Sequence, residues 1–297
     1  MNKRIAAIIV TYNRLGTLTR CIEALQRQNN AAMDILIIDN ASTDGTGEAL
    51  APLAAQGMLH YHNTGNNLGG AGGFHYGMRV AAEAGYDYLW VMDDDCIPDP
   101  DALDALLRAD AALGEDYGFL SSVAYWTDGS PCTMNVQKTG LRKKLTDYTS
   151  PTVPIMMATF VSAFFPRARV MECGLPIKEF FIWSDDLEYT RRLSRRYPCY
   201  AVTGSRVLHD MHANDKVNIA TDTAHRLPRY RYLYRNEVYV YRREGLRGWL
   251  YLVSRVALHV LKVLCGASDK RAKIKVILSS FFDGLRFHPS VEFVNER

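Results

Sequence analysis

The sequence predicts an α/β fold with a Rossmann-like, mainly parallel sheet, flanking helices and a C-terminal helical region. Two observations support this prediction. Short continuous apolar runs alternate with amphipathic helical segments up to about residue 113, and polar residues follow several of these runs directly. Strands that are buried on both faces of a parallel sheet have such apolar sequences, and the helices between them form the crossover connections.

The elements follow from these patterns in chain order. Residues 5–11 (IAAIIVT) and 35–39 (ILIID) are uninterrupted apolar runs, and residues 17–28 carry apolar side chains at helical spacing. The other predicted strands are residues 58–62, 86–92, 117–125 and 200–208, and the other helices are residues 45–55, 69–84, 101–113 and 185–196. From Arg226 onward the chain is predicted to be helical. We therefore expect two parts, residues 1–215 and 216–297.

Composition and charge limit the classes of function. Of the 297 residues, 48% are hydrophobic and 23% are charged, which is typical of a globular protein with a sizeable core. A net charge of +3 gives no basis for a nucleic-acid partner, although basic residues are concentrated after Arg226 and suit an anionic surface. The six cysteines are scattered without metal-binding spacing, which indicates free thiols in a reducing compartment.

The same features predict where the protein works. The first residues lack a signal-peptide pattern, and we expect no membrane span because no stretch reaches about 18 uncharged apolar residues. We expect a cytoplasmic protein that is at most peripheral on the inner face of the membrane. In residues 249–264, Arg255, His259 and Lys262 fall on one stripe of a helix. This helix either lies in a membrane interface or packs on the rest of the protein with its charged stripe facing water.

Polar residues end three of the predicted strands. Thr11–Arg14, Asp39 and Asp93 each follow or close an apolar run. The carboxyl ends of parallel strands meet at one edge of the sheet, where such folds bind their ligands. The sequence therefore predicts a ligand-binding rim formed by these three strand ends.

Three consecutive carboxylates, Asp93, Asp94 and Asp95, lie on this rim. Adjacent carboxylates repel one another unless a cation compensates, and alternate residues of an extended segment face the same way. Asp93 and Asp95 are therefore predicted to share a hard divalent ion such as Mn²⁺ or Mg²⁺, with Asp94 pointing elsewhere. The alternative is a solvated acidic loop.

Two further segments carry candidate chemistry. Residues 67–74 (NLGGAGGF) open a helix and suit a phosphate, although a structural turn is the alternative. They do not match the dinucleotide fingerprint, which excludes a Rossmann oxidoreductase. Asp185 and Asp186 begin another helix, where one can cap the helix and the other can act as a general base. His209 ends a predicted strand, a position where a histidine is more often structural than a ligand.

Together these segments resemble the GT-A glycosyltransferases of family 2, and in particular the galactofuranosyltransferase branch, with rhamnosyltransferases as relatives. The motifs that carry the resemblance occur in the family's order: VTYNR (10–14), IIDNASTDGT (37–46), NLGGAGGF (67–74), DDD (93–95), SDDLEY (184–189) and RYLYRNEVY (231–239). The chain departs from the family pattern at Ser184, which separates Trp183 from the acidic pair.

The resemblance implies a role for each matching residue. Asp186 would be the base, Trp183 and Asp185 would face the acceptor, and Asp93, Asp95 and His209 would bind the metal. The donor nucleotide sugar would contact Thr11, Tyr12, Arg14, Asp39, Asn67, Gly69, Gly70, Asp93 and Asp94. Residues 1–215 would then be the GT-A catalytic domain, and residues 216–297 a basic region suited to a membrane surface.

The function expected from this resemblance is inverting transfer of galactofuranose from UDP-galactofuranose to a surface polysaccharide or a lipid-linked glycan. A rhamnosyltransferase that uses dTDP-rhamnose is the alternative within the family. A non-catalytic nucleotide-sugar-binding protein is the alternative of another class, and the intact set of acids and His209 argues against it.

Overall fold

Apolar runs and helices alternate as the sequence predicts. The computed structural model describes residues 3–30, 33–211, 213–214, 217–266 and 268–294. Its strands are β1 (Ile5–Thr11), β2 (Met33–Asp39), β3 (His60–Asn63), β4 (Tyr88–Asp93), β5 (Cys96–Pro98), β6 (Leu120–Tyr125), β7 (Thr152–Pro154), β8 (Ala163–Pro166) and β9 (Tyr200–His209). Its helices are α1 (Leu15–Gln26), α2 (Thr46–Ala55), α3 (Gly69–Glu83), α4 (Ala102–Leu113), α5 (Arg167–Cys173), α6 (Asp185–Ser194), α7 (Leu227–Arg242), α8 (Gly245–Gly266) and α9 (Lys270–Arg286).

The described strands form one sheet in the order β3-β2-β1-β4-β8-β6-β9-β5, with β7 paired to β9. The first four strands in this order are parallel to one another. Strand β8 runs antiparallel to β4 and β6, and β9 is parallel to β6 but antiparallel to β5 and β7. The α/β fold class is confirmed, with parallel pairing concentrated in the N-terminal half and a mixed second half.

The parallel register places the predicted rim residues side by side. Thr11 pairs with Asp39 across β1 and β2, and Val10 pairs with Asp93 across β1 and β4. Helix α3 packs closely over these strands, because a Cβ atom at Gly77 would overlap with the side chains of Ile8 and Ile38. Part of the glycine content of α3 therefore serves packing against the sheet.

The C-terminal helices share a core with the rest of the chain. Val238 and Tyr239 of α7 and Leu252 of α8 are buried in one apolar cluster with Ile177 and Phe180. The predicted helical character of this region is confirmed. The boundary predicted between residues 215 and 216 lies outside the described residues, so the division into two domains stays a prediction.

The polar stripe of helix α8 faces the interior of the protein, whereas the sequence predicts that it faces outward. Arg255 points inward, where its guanidinium pairs with the buried carboxylate of Glu237 at 3.0 Å, and the Tyr234 hydroxyl contacts His259 Nδ1 at 2.8 Å. The outer face is apolar, and Leu246 and Leu250 are 76% and 62% exposed. The prediction that the basic stripe faces water or lipid head groups is therefore wrong for Arg255 and His259.

The expectation that no segment could span a membrane also needs correction. Helix α8 has 22 residues and a window with a mean hydropathy of 1.4, so it is long and apolar enough to cross a bilayer. Charged residues interrupt its apolar run, which is why the sequence does not show 18 uncharged apolar residues in succession. Only 22% of the window is buried in the structure, and length and composition alone do not distinguish a span from a helix at a surface.

We expect Arg255→Leu to destabilise the protein by about 2 kcal/mol, because Glu237 would remain buried without its partner. The free energy of unfolding in urea measures this change. Lys262→Leu, an exposed substitution on the same helix, is the control and should have little effect. Adding Glu237→Gln should recover part of the loss, and strictly additive effects would contradict the pairing.

Candidate active site

The carboxyl ends of β1 and β4 bring together a network of acids and one arginine. Thr11 Oγ1 donates a hydrogen bond to Asp94 Oδ2 at 2.8 Å. Arg14, just before α1, reaches Asp94 Oδ1 at 2.9 Å and Asp95 Oδ2 at 2.6 Å. Both oxygens of Asp94 therefore have protein partners, and because Asp94 and Asp95 lie in a turn, the same Arg14 nitrogen reaches both carboxylates.

Asp93, Asp95 and His209 form a group that fits a divalent metal ion. One potential ligand atom from each lies within 4.8 Å of the other two. Burial, together with the charge of Asp95, raises the pKa of Asp93 to about 7. Among the described residues, no hydrogen bond or ion pair engages the Asp93 carboxylate. A cation between these side chains would supply the missing partner, and two carboxylates with one imidazole are a donor set that Mn²⁺ accepts.

His209 is brought to this group by β9 and oriented by a residue that the sequence analysis did not identify. Its Nε2 lies 3.1 Å from Asp95 Oδ1, and its Nδ1 lies 2.9 Å from Oδ1 of the buried Asn135. The Asn135 amide donates its own hydrogen bond to Thr159 Oγ1 at 3.0 Å, which turns its oxygen toward the histidine. Burial lowers the pKa of His209, but the bond to Asp95 outweighs it and raises that pKa to about 10.

Asp39 and the glycine-rich helix start form a second group on the rim. Asp39 is fully buried and accepts hydrogen bonds from Tyr61 Oη at 2.6 Å and from the Ser42 backbone at 2.9 Å. Asn40 links it to α3, because its Nδ2 donates to the Gly69 carbonyl at 3.0 Å. The predicted residue Tyr12 is 43% exposed.

The first turn of α3 shows why particular glycines occur there. Asn67 Oδ1 accepts the Gly69 amide at 2.9 Å. Gly69 has a φ of +70°, and a Cβ atom there would overlap with the carbonyl of Phe181. At Gly70 a Cβ atom would meet open space, so the protein itself does not require that glycine. The absence of a side chain at Gly70 leaves its backbone accessible at the start of α3.

The acidic pair begins α6, where Ser184 and not an aspartate holds the N-cap position. The Asp186 carboxylate accepts a hydrogen bond from the Leu187 amide at 2.6 Å. Burial raises the pKa of Asp186 to about 7, the Leu187 bond opposes this, and the charge of Asp93 adds to it. Burial beside Asp186 raises the pKa of Asp185 to about 8. The electrostatic interaction between Asp93 and Asp186 connects this pair to the candidate metal group.

The residues before the pair have an unusual backbone. Phe181, Trp183 and Ser184 have φ values of 62°, 66° and 66°, which residues other than glycine rarely adopt. The Trp183 ring is half-buried and packs edge-on against Tyr230 of α7 at 5.3 Å. The ring predicted to face the acceptor therefore contacts the C-terminal helices.

Sequence reasoning missed two further residues near the acidic pair. Lys138 interacts electrostatically with Asp186, and its ammonium donates to Tyr241 Oη at 3.0 Å. Asn236 of α7 donates to backbone carbonyls of the segment before Asp185. Only Asn236 had a signal in the sequence, because it lies in the motif RYLYRNEVY, whereas Lys138 lies in a stretch without regular periodicity.

A cavity of about 750 Å³ opens beside the metal group. Its lining includes the residues Arg14, Arg20, Asp95, Asp210, Asn218 and Arg226. This volume is in the range of ligand-binding pockets, and each of its three arginines forms an ion pair with an aspartate of the same lining, which leaves the lining polar and balanced in charge.

Comparisons with known proteins agree with this arrangement. Galactofuranosyltransferase GlfT1 of Mycobacterium tuberculosis is 28% identical to this chain over 290 residues, which cover 86% of this chain and 91% of the relative. S. aureus TarS 1-349 in complex with UDP is similar in structure, with a TM-score of 0.56 and 13% identity over 96% of this chain and 72% of that chain. GalNAc-T7 with UDP, GalNAc and Mn²⁺ has a TM-score of 0.65 and 15% identity over 96% of this chain and 56% of that chain.

These structural similarities confirm the GT-A fold, and the family is shown by sequence. The model of the family described as "Glycosyl transferase family 2" matches residues 6–166, from β1 to the end of β8. This match contains the rim, the glycine-rich helix start and the three consecutive aspartates, and it spans more than half of the chain. The chain therefore belongs to glycosyl transferase family 2.

Proposed function

We propose that this protein is an inverting glycosyltransferase that moves galactofuranose from UDP-galactofuranose to a hydroxyl of a surface polysaccharide or lipid-linked glycan. The observation that carries the proposal is the candidate metal group of Asp93, Asp95 and His209, whose ligand atoms lie within 4.8 Å of one another in a chain of glycosyl transferase family 2. Similarity to galactofuranosyltransferase GlfT1 over most of the chain supports the choice of sugar.

The donor is held on the rim. Asp39 and Asn67 bind the nucleotide, together with Thr11 and the neighbouring Tyr12. The backbone at Gly70 approaches the diphosphate at the start of α3, where a helix favours negative charge. Arg14, which Asp94 orients, adds a fixed positive charge on the same side. These groups stabilise the leaving diphosphate as its charge grows.

Asp93, Asp95 and His209 would hold Mn²⁺ or Mg²⁺. A bound divalent ion neutralises negative charge on a diphosphate, and it also relieves repulsion between the two carboxylates. Asn135 keeps the imidazole ring of His209 in place for this purpose.

Asp186 acts as the general base. Its carboxylate takes the proton of the acceptor hydroxyl while the acceptor oxygen bonds to the anomeric carbon. The bond from that carbon to the diphosphate oxygen breaks, and UDP leaves with the electron pair. Attack from the face opposite UDP inverts the anomeric configuration. A pKa of about 7 suits a base that works near neutral pH. Asp185 and Trp183 lie beside it and border the acceptor.

We also propose that α8 and α9 contact the inner face of the cytoplasmic membrane, which would bring the enzyme to a lipid-linked acceptor. Their exposed apolar residues recur at helical spacing and include Leu246, Leu250, Val253, Leu261, Leu264, Leu278, Phe282 and Leu285. Lys262, Lys270, Arg271 and Lys275 are exposed on the same helices and suit anionic head groups. Lys273 is buried, and its ammonium donates hydrogen bonds to the carbonyls of Ala220 and Asp222. It therefore takes no part in the proposed membrane contact.

A panel of nucleotide sugars tests the donor. With Mn²⁺ present, UDP-galactofuranose should be consumed and should raise the unfolding temperature, whereas dTDP-rhamnose should do neither. EDTA and Asp95→Ala should each abolish both effects on UDP-galactofuranose, because the metal group would be lost. The reverse donor preference would support the rhamnosyltransferase alternative, and donor binding without turnover of any sugar would support a binding protein.

Asp186→Asn should lower kcat by about 10²- to 10⁴-fold and leave the Kd for UDP nearly unchanged, because an amide cannot accept the proton. Steady-state kinetics and calorimetric UDP binding measure the two quantities. Asp185→Asn is the matched control and should be the less damaging variant. A larger loss of kcat in Asp185→Asn would assign the base to the other member of the pair.

Flotation with liposomes tests the membrane surface. The protein should float with vesicles that contain phosphatidylglycerol, more weakly at high salt, and should stay in solution with neutral vesicles. The double variant Leu250→Gln, Leu261→Gln should lose this binding, whereas Met58→Gln, at an exposed apolar residue of the N-terminal part, should keep it. Equal flotation of both variants would contradict the assignment of the surface.

A further inference from the structure

One side chain of α7 binds the backbone that precedes the acidic pair. Asn236 is fully buried, and its Nδ2 donates to the carbonyls of Phe180, Ile182 and Trp183 at 3.0, 3.2 and 2.9 Å. Three backbone carbonyls within four residues of the chain thus converge on a single side-chain amide. Asp185 follows two residues after the last of them, and Asp186 follows three residues after it.

The orientation of this amide is determined by its neighbour. Asn236 Oδ1 accepts hydrogen bonds from Arg235 Nε at 3.0 Å and from the guanidinium Nη2 at 2.9 Å. A guanidinium can only donate, so the Asn236 oxygen must face Arg235 and the nitrogen must face the carbonyls. Every polar atom of the Asn236 side chain is therefore engaged.

The backbone conformation of the segment that Asn236 binds is imposed by tertiary contacts and not by the preferences of its own residues. Positive φ values at Phe181, Trp183 and Ser184 are unfavourable and persist only where surrounding contacts impose them. On the opposite side, the Ala71 amide of α3 donates to the Phe181 carbonyl at 3.2 Å. The segment is therefore held between the start of α3, on the donor side, and Asn236 of α7.

We propose that Asn236 is a positioning residue that sets the location of the base Asp186 by holding the strained segment 180–184. This inference rests on the proposed function, because it requires Asp186 to act as the base. Asn236 touches neither substrate nor metal, and it acts through the backbone that leads into α6. It gives the motif RYLYRNEVY a role in the reaction.

A double-mutant cycle separates positioning from a merely structural role. Asn236→Asp has the same shape but places a carboxylate oxygen against the carbonyls, which displaces the segment. It should lower kcat by about 10²-fold in the otherwise unchanged protein, the size expected for a displacement of about 1 Å. In the Asp186→Asn background it should lower kcat by less than about 3-fold, because the group that it positions is already absent.

Two further measurements accompany the cycle. The Kd for UDP with Mn²⁺ should be unchanged in Asn236→Asp, because the hydrogen bonds that Asn236 donates involve no residue proposed to bind the donor. Asn29→Asp makes the same chemical change at an exposed residue and should leave kcat and unfolding temperature unaltered. If Asn236→Asp does not fold, Arg235→Gln provides a second comparison. It removes the donors that orient the amide, together with the guanidinium's own bonds to the Glu179 and Phe180 carbonyls, and leaves Asn236 in place.

The outcomes distinguish this inference from the proposed function. An equal loss of kcat in both backgrounds, with weaker UDP binding, would overturn the positioning role and make Asn236 a purely structural residue. Full activity of both Asn236→Asp and Arg235→Gln would overturn it as well. Full activity of Asp186→Asn alone would instead overturn the assignment of the base, on which this inference depends.

Discussion

The burial of five aspartates near one another, Asp93–Asp95, Asp185 and Asp186, governs this candidate site. Arg14 and His209 compensate Asp94 and Asp95. Burial and neighbouring charges raise the pKa values of the others, including Asp93 and Asp186. An excess of negative charge in a buried place favours two events, binding of a divalent cation and uptake of a proton. In the proposed function both events are needed, so the same buried negative charge would serve donor binding and acceptor activation.

The candidate site depends on the segment 180–184, where helices α3 and α7 both make contact. Helix α3 lies close to β1 and β2 because glycines face the sheet, and its first turn contacts Phe181. Helix α7 contacts the same segment from the other side through Asn236. The C-terminal helices are therefore part of the architecture of the active site. Their outer surface is apolar, and their inner surface carries the buried pair of Glu237 and Arg255.

The inverted polarity of α8 shows a limit of reading amphipathicity from sequence. Arg255 and His259 lie on one stripe, as predicted, but that stripe faces α7. Glu237 of α7 binds Arg255, and Tyr234 of α7 binds His259. A helical wheel identifies which residues share a face and says nothing about which face is buried when partners come from a distant helix. The exposed leucines are the part of the pattern on which the proposed membrane surface rests.

Local pattern was sufficient to predict the strands β1, β2 and β4, the helices α1 to α4 and α6, and Asp93 and Asp95 as candidate metal ligands, because the periodicity of apolar residues is encoded within each segment. Family resemblance added His209 and Asp186, which lie far from these aspartates in the chain. The short strand β5, the antiparallel pairing of β8 and the roles of Asn135 and Lys138 had no local signal. They arise from contacts between segments that are distant in the chain, as between Asn135 and His209, 74 residues apart, or between Lys138 and Tyr241, 103 residues apart. The sequence by itself determined the class of fold and the chemistry at the strand ends, whereas only tertiary packing decided which buried charges face one another.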